Sequence, residues 1–360
     1  MNEKIRLVLS KIKDKGFEAY LVGGFVRDYF LGRETYDVDI ATSALPKDII
    51  EIFNLNTSTE DNYGSISFKD KTYNYEITTY RKDISYESRK PQVEFVNDIK
   101  IDVQRRDFTI NSLYMDIDGN IIDELNGVED LKNRTIRCIG NINDKMIEDP
   151  LRILRTIRFA ALLDFEIEEN LYFYIKQNKE LIQTLSYTRK KEELDIIFKS
   201  KDVSRGIEMI KSLGIEKYLD IKINDVIPCN NYLGIWAQIE ASDKYPFTNQ
   251  ELNTIDAVKK VIKYGIIDNI VLYQYGLFVS IIAGEILGYP KSYISEIYKD
   301  MPIYSSKDIA INGDDIMSIL KIKPSEKISK IFEDLELNIL HDNIKNEYEE
   351  LKGYIIKNWK

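Results

Sequence analysis

The stretch LVGGFVRDYFLGRETYDVDIAT, Leu21 to Thr42, constrains the fold more than any other part of the chain. It opens on an apolar run that reads as a short strand, turns at Gly23 and Gly24, and continues as a helical segment, FVRDYFLG. It returns as YDVDIAT, a strand whose faces alternate. Residues i and i+2 of a strand share a face, so Asp37 and Asp39 project together. Two carboxylates held that close repel unless something positive lies between them. A pair of this kind can bridge divalent cations about 4 Å apart, which clamp the attacking and leaving oxygens of a phosphoryl transfer. An isolated pair of strand acids is more often a solvated strand end, but here the context adds to it. Gly23 and Gly24 let backbone N–H groups approach an anion at a helix N-terminus, and Arg27 on the first turn reaches a phosphate.

Further acids and bases extend the pattern. Glu76 lies in a second strand, YEITT, as a third carboxylate that could face the same cations or accept a proton from an attacking hydroxyl. The segment IKIDVQRRDFTINSLYMD reads as a helix, which puts Asp107 and Asn111 one turn apart on one face, after Arg105 and Arg106. In EDPLRILRTIRF, Asp149 fits a helix N-cap and Pro150 the first helical position. Arg152, Arg155 and Arg158 recur every three residues and predict a basic ridge. A carboxylate and a guanidinium at i and i+3, as in Asp149 and Arg152, offer one acceptor and one donor fork. Adenine and cytosine each present an amino donor beside a ring-nitrogen acceptor; guanine and uracil present the reverse. The pair therefore suits the first two bases and leaves buried polar groups unpaired with the others.

The predicted fold class is α+β: a head with a mixed sheet, followed by an all-helical remainder. PKDIIEIF is a helix begun by Pro46; YGSISFKDKTYNYEITTYR reads as two strands turning near Asp70; YESRKPQVEFV is a basic loop feeding a strand; YMDIDGNIIDE is a hairpin turning at Asp118-Gly119. After Pro150 the period is helical to Lys360.

Composition narrows the chemistry. With one histidine, His341, and two distant cysteines, Cys138 and Cys229, zinc and a disulfide framework are both improbable, and any metal must be held by oxygen. No apolar run reaches ~18 residues, and the first residues lack the pattern of a secretory signal, so a cytoplasmic protein without a membrane span is expected. The net charge of −10 excludes a basic coat but not a local basic track for nucleic acid.

These residues together resemble the class II CCA-adding enzyme and bacterial poly(A) polymerase family of nucleotidyltransferases. The stretches that carry the resemblance are LVGGFVRDYFLGRETYDVDIAT, YEITTYRKD, YESRKPQVEFV, RRDFTINSLYMD, DELNGVEDLKNRTIRCIG and EDPLRILRTIRFAALLDFEI, most of residues 20–170. The resemblance implies a polymerase-beta-like nucleotidyltransferase head at residues 1–135, a neck carrying the nucleotide-selecting motif at 136–200, a body at 201–290 and an RNA-binding tail at 291–360. It implies that Asp37 and Asp39 bind Mg2+ with Glu76 as companion acid, and that Gly23, Gly24 and Arg27 hold the triphosphate. Arg106 and Asp107 would contact sugar and phosphates, and Asp149 and Arg152 would select CTP and ATP; Asn111, from its shared face with Asp107, and Arg155 and Arg158, from the ridge, are expected to bind the nucleotide as well. The partner would be the acceptor arm and 3′ end of a tRNA; apart from the resemblance, basic helical faces of the neck and body, with Lys190 and Lys191, are expected to touch the RNA. Two stretches depart from the family pattern: Thr188 stands where the neck motif has an acid, and SISF replaces a His-Gly-Thr wording.

The same motifs serve full CCA addition, CC-only or A-only addition, and poly(A) synthesis. The loop RKDISYESRKP, with Asp83, Tyr86, Arg89 and Pro91, argues against CC-only addition and favours the full reaction. A non-catalytic RNA-binding protein is the rival from another class, and it would not need paired acids at a phosphate site.

Overall fold

The structure is a computed structural model that describes residues 1–55, 63–87 and 90–360. Arg89 lies outside the described residues, and the side chains of Tyr86 and Pro91 are likewise not described. The chain forms two compact units, Met1–Asp220 and Ile221–Lys360.

In the first unit, helix α1 (Glu3–Lys13) buries Ile5, Leu9 and Ile12 and leads into strand β1 (Ala19–Val22). Helix α2 (Gly23–Phe30) starts directly at the strand end; strand β2 (Asp37–Thr42) and helix α3 (Pro46–Phe53) follow. Strands β3 (Ser65–Lys69) and β4 (Asn74–Thr79) turn at Asp70, whose carboxylate accepts the N–H groups of Thr72 and Tyr73. Of the stretch expected as a basic loop feeding a strand, the strand is β6 (Lys90–Phe95), which pairs antiparallel with β5 (Arg81–Glu87), so the expected loop is already extended up to Glu87; Ser88 lies outside the described residues.

The expected helix over residues 99–116 is not continuous. Helix α4 (Ile99–Asp102) runs into a 3-10 turn at Val103–Arg105, Arg106 is extended, and a second 3-10 turn covers Thr109–Asn111. Phe108 instead pairs with Cys138 as an antiparallel bridge, and Thr109 N–H donates to the Arg137 carbonyl. β-branched Val103, Thr109 and Ile110 resist a helix weakly, and the long-range ladder decides.

Strands β7 (Tyr114–Met115) and β8 (Ile121–Ile122) close the sheet in the order β3-β4-β2-β1-β7-β8, with β2 and β4 parallel and the other pairs antiparallel. Val38, Ile40, Tyr75 and Ile77 bury the face opposite the acids. Next come helix α5 (Gly127–Lys132), strand β9 (Thr135–Ile136), helices α6 (Ile142–Glu148) and α7 (Leu151–Leu163), and strand β10 (Glu166–Ile167). The parallel β9–β10 pair spans the boundary expected at residue 135. Helices α8 (Glu169–Gln177), α9 (Tyr187–Phe198), α10 (Val203–Leu213) and α11 (Glu216–Leu219) complete this unit, with α9 and α10 both packed on α7.

The second unit is helical but for a short pair, β11 (Ile221–Lys222) and β12 (Glu240–Ala241), on either side of α12 (Tyr232–Gln238). Trp236 of α12 is buried against Tyr245 and Phe247, at ring separations of 5.1 and 5.0 Å. Helix α13 (Asn249–Tyr264) has a capping box of Thr248 and Glu251. Helix α14 (Asn269–Leu287) is long and apolar enough to cross a membrane by length and composition, which the absence of an unbroken apolar run did not suggest. Here it packs between α13 and α15 (Lys291–Lys299) and is interrupted by Gly276 at φ 74°, ψ 168°, dihedrals open only to glycine. Helices α16 (Gly313–Leu320), α17 (Glu326–Leu340) and α18 (Tyr348–Trp359) pack together at the end of the chain.

Candidate active site

The β2–β4 register sets the acids side by side. Asp39 pairs with Glu76 and Asp37 with Asn74 on adjacent parallel strands, about 4.8 Å apart. Asn74 Nδ2 donates to Asp37 Oδ1 at 2.7 Å. Burial and the neighbouring Glu76 carboxylate push the Asp39 carboxyl up to about 6, with Asp37 adding to the shift; Arg106 and the Gly24 N–H oppose it. This face carries surplus negative potential that a cation would relieve.

The start of α2 closes on that carboxylate. Gly23 adopts φ +63°, and a Cβ there would stand 3.1 Å from Asp39 Oδ2 and 3.8 Å from Arg106 Nη1. Gly23 is therefore favoured by the close approach as well as by its left-handed φ, whereas a Cβ at Gly24 would meet only ordinary contacts, 3.6 Å from Arg27 and 3.7 Å from Asp39.

From Asp39 a cleft of about 700 Å³ opens, lined by Gly23, Gly24, eight arginines and four aspartates. All eight guanidiniums are positioned by carboxylates. Arg27 chelates Asp28 and donates to Asn111 Oδ1 at 2.8 Å. Asn111 Nδ2 donates to Asp107 Oδ1 at 3.2 Å, and Arg155 Nε donates to Asp107 Oδ2 at 2.8 Å. The spacing of Asp107 and Asn111 thus brings them together without the predicted helix. Arg155 and the other donors hold the buried Asp107 carboxyl down at about 2. The guanidiniums of Arg27, Arg155 and Arg158 stand 5.2, 5.4 and 4.5 Å from the Phe159 ring.

Arg152, Arg155 and Arg158 do not form the bare basic ridge read from their spacing. Arg152 is buried, 3.2 Å from Glu148, and donates to the carbonyls of Lys145 and Arg105. Arg158 lies 3.0 Å from Glu193. Asp149 accepts the Leu151 N–H, as a cap would, and its carboxylate is 3.1 Å from Arg189 Nη2. Asp149 and Arg152 both line the cleft, Asp149 beside Arg189 and Arg152 beside Glu148.

The expectation of an exposed basic face at Lys190 and Lys191 is corrected. Both are buried, because α9 packs this side toward α7 and the following turns. Lys190 Nζ donates to the Tyr218 carbonyl at 2.8 Å, and Lys191 Nζ to Asp195 at 2.8 Å. Cys138 is also buried, its thiol pushed up to about 11, which suits a filler rather than a reactive group.

Sequence reading missed Asp102, Arg189 and Glu193. Asp102 is fully buried and binds Arg105 at 2.9 Å, Arg106 at 3.0 Å, the Tyr114 hydroxyl at 2.6 Å and the Arg81 N–H. These partners hold its carboxyl down at about 2 despite burial. Its spacing of three and four residues from Arg105 and Arg106 was a visible signal. Arg189 and Glu193 meet partners 40 and 35 residues away in the chain and left none.

Among the described residues no group of three or more His, Cys, Asp or Glu is gathered closely enough to hold a metal alone. The donor set fits a hard divalent cation: Asp37 and Asp39 offer carboxylate oxygens, and a substrate triphosphate would complete the shell.

Comparison with known proteins agrees with this geometry. Residues 19–137 match the family described as "Poly A polymerase head domain", and residues 164–220 match "Probable RNA and SrmB- binding site of polymerase A". The CCA-adding enzyme of Ligilactobacillus salivarius is 33% identical over 95% of this chain and 93% of its own length. That of Lactococcus lactis subsp. cremoris is 32% identical over 94% and 92%. In fold, the chain resembles the Bacillus stearothermophilus CCA-adding enzyme solved in complex with CTP (TM-score 0.85, 24% identity, 99% of this chain and 98% of that one). It also resembles the Thermotoga maritima CCA-adding enzyme complexed with tRNA (TM-score 0.72, 22% identity, 100% and 97%). With a head of this build, this set of acids and arginines, and full-length relatives above 30% identity, the chain belongs to the CCA-adding enzyme family of nucleotidyltransferases.

Proposed function

We propose that this protein adds CCA to the 3′ end of tRNA from CTP and ATP, in the cytoplasm, one nucleotide at a time and without a nucleic-acid template. The observation that carries this reading is the single cleft that joins Asp39, the Arg27–Asn111–Asp107–Arg155 chain, and Asp149 with Arg152. Reaction chemistry, triphosphate binding and base selection then share one space.

In this reading the arginines bind the triphosphate, with Arg106 beside Gly23 nearest the acids. Asp149 accepts from the amino group of adenine or cytosine, and Arg152 donates to the ring nitrogen. The RNA 3′-hydroxyl forms a bond to the α-phosphorus as the bond to pyrophosphate breaks. Glu76 accepts the hydroxyl proton. Mg2+, held by Asp37 and Asp39, would neutralise charge on the attacking and leaving oxygens. Residues 1–135 carry the transfer, 136–200 the selection, and 201–290 with 291–360 the grip on RNA.

The test is incorporation with Mg2+ and three tRNA transcripts, ending before CCA, after C and after CC, with CTP and ATP supplied singly and together. Growth of all three to one CCA end is expected. A single A on the CC-ended transcript alone would make it an A-adding enzyme, long A tails a poly(A) polymerase. No incorporation would overturn the reading in favour of a silent RNA binder.

A further inference from the structure

A second cavity, of about 370 Å³, lies on the other side of Asp39 and is lined by the open face of β2, β4 and β3. Asp39 alone among the described residues lines both cavities. The strand register arranges the polar side chains of this face in two rows: Asp39, Glu76 and Ser67 across one, Asp37, Asn74 and Lys69 across the other. Ser67, Lys69 and Asn74 are exposed, while their strand neighbours Ile66, Tyr75 and Ile77 are buried on the opposite face.

We propose that Ser67, Asn74 and Lys69 seat the 3′-terminal nucleotide of the RNA acceptor, with Lys69 taking the phosphodiester on its 5′ side. The inference rests on the nucleotidyl-transfer reading above and adds the place of the second reactant. An in-line displacement brings nucleophile and leaving group to phosphorus from opposite sides. The arginine cleft is built for the triphosphate, so the hydroxyl must come from the other side of Asp39.

The charge of the second cavity agrees. It has one cation, Lys69, against three carboxylates. That balance repels a triphosphate but admits a ribose, with Asn74 and Ser67 as hydrogen-bonding partners for its hydroxyls, and one phosphodiester at Lys69. Lys69 stands two strand spacings from Asp37, roughly 10 Å. Its flexible four-carbon stem covers the offset from the reacting 3′ oxygen to the phosphate one nucleotide back. Asn74 also holds Asp37, so the same residue orients a cation-binding acid and the strand that is extended.

The test is steady-state transfer to a short acceptor-arm RNA ending in CC, with RNA and ATP varied separately at several salt concentrations. Lys69 is exposed on an edge strand, so Lys69→Ala should fold, and its thermal melt is the control. We expect KM for RNA to rise about 3- to 10-fold, KM for ATP to change less than twofold, and the slope of log KM for RNA against log salt to fall by about 0.7. Lys69→Arg should restore most of the loss. Unchanged KM for RNA, or an equal rise for RNA and ATP, would overturn this seat while leaving the transfer reading intact. No transfer by the unaltered protein would overturn both.

Discussion

The two units use cations differently. All fourteen arginines lie in residues 1–220; residues 221–360 carry sixteen lysines and no arginine. Eight of the fourteen line one cleft. In a chain with thirty-six lysines, this is a sorting by geometry rather than by charge. A guanidinium presents a planar fork that holds a carboxylate on one edge and a phosphate or base on another; an ammonium is a flexible point charge. Where direction matters the chain has arginine, and where only charge matters lysine suffices.

The largest expected break in this contrast comes from the acid the arginines surround. Asp39→Ala should lower transfer on the order of 10³-fold, from the several kcal/mol a catalytic cation supplies, while tRNA binding survives. Loss of both together would sink the metal role. Next is the buried hub. Asp102→Asn leaves Arg105 and Arg106 without their charge partner and should destabilise the first unit by about 3–5 kcal/mol. Urea unfolding should show the midpoint falling; an unchanged midpoint would refute the role of Asp102 as a hub.

Asp102 and Asp107, both held near 2, have folded pKa values below their unfolded ones. Their contribution is present above pH ~4 and lost as pH falls toward 2. Asp39 has the opposite sign: its folded value, about 6, is raised, so ionising it costs stability as pH rises from about 4 through 6. Asp39→Asn should then stabilise the metal-free protein at pH 7 by up to about 3 kcal/mol, a gain that vanishes at pH 4. Calorimetry at the two pH values distinguishes this from a general packing effect.

Smaller effects sharpen the comparison. Arg152→Ala should erode discrimination of CTP and ATP against GTP and UTP by roughly 10-fold, since one good fork is worth about 1–3 kcal/mol; unchanged preference would refute its selecting role. Arg158→Lys, which loses the directed contact to Glu193 and the Phe159 stack, should raise nucleotide KM several-fold. The reverse swap in the second unit, Lys357→Arg, should change stability by less than about 0.5 kcal/mol. Equal effects from the two swaps would end the argument from geometry.

What could be read in the sequence follows from locality. The shared face of Asp37 and Asp39 needs only the two-residue period of a strand, and the Gly23–Gly24 turn needs only its neighbours. Asp107 and Asn111 meet as expected, but through a 3-10 turn, because pairing of Phe108 with Cys138 displaces the helix. The grip of Arg189 on Asp149 joins residues that no local pattern connects. Lys190 and Lys191 misled because their long stems pack inward while the charge finds a carbonyl or carboxylate inside.

Every arginine of the cleft is already matched to a carboxylate, and the chain as a whole carries −10. Beyond a Debye length, about 8 Å in physiological salt, an approaching RNA meets net negative charge rather than those forks. Long-range steering should therefore be weak, with encounter expected near the unsteered rate of about 10⁵–10⁶ M⁻¹s⁻¹. The compensation is discrimination in time: a polyanion without the right end drifts past, and only one that reaches contact distance finds donors arranged for it.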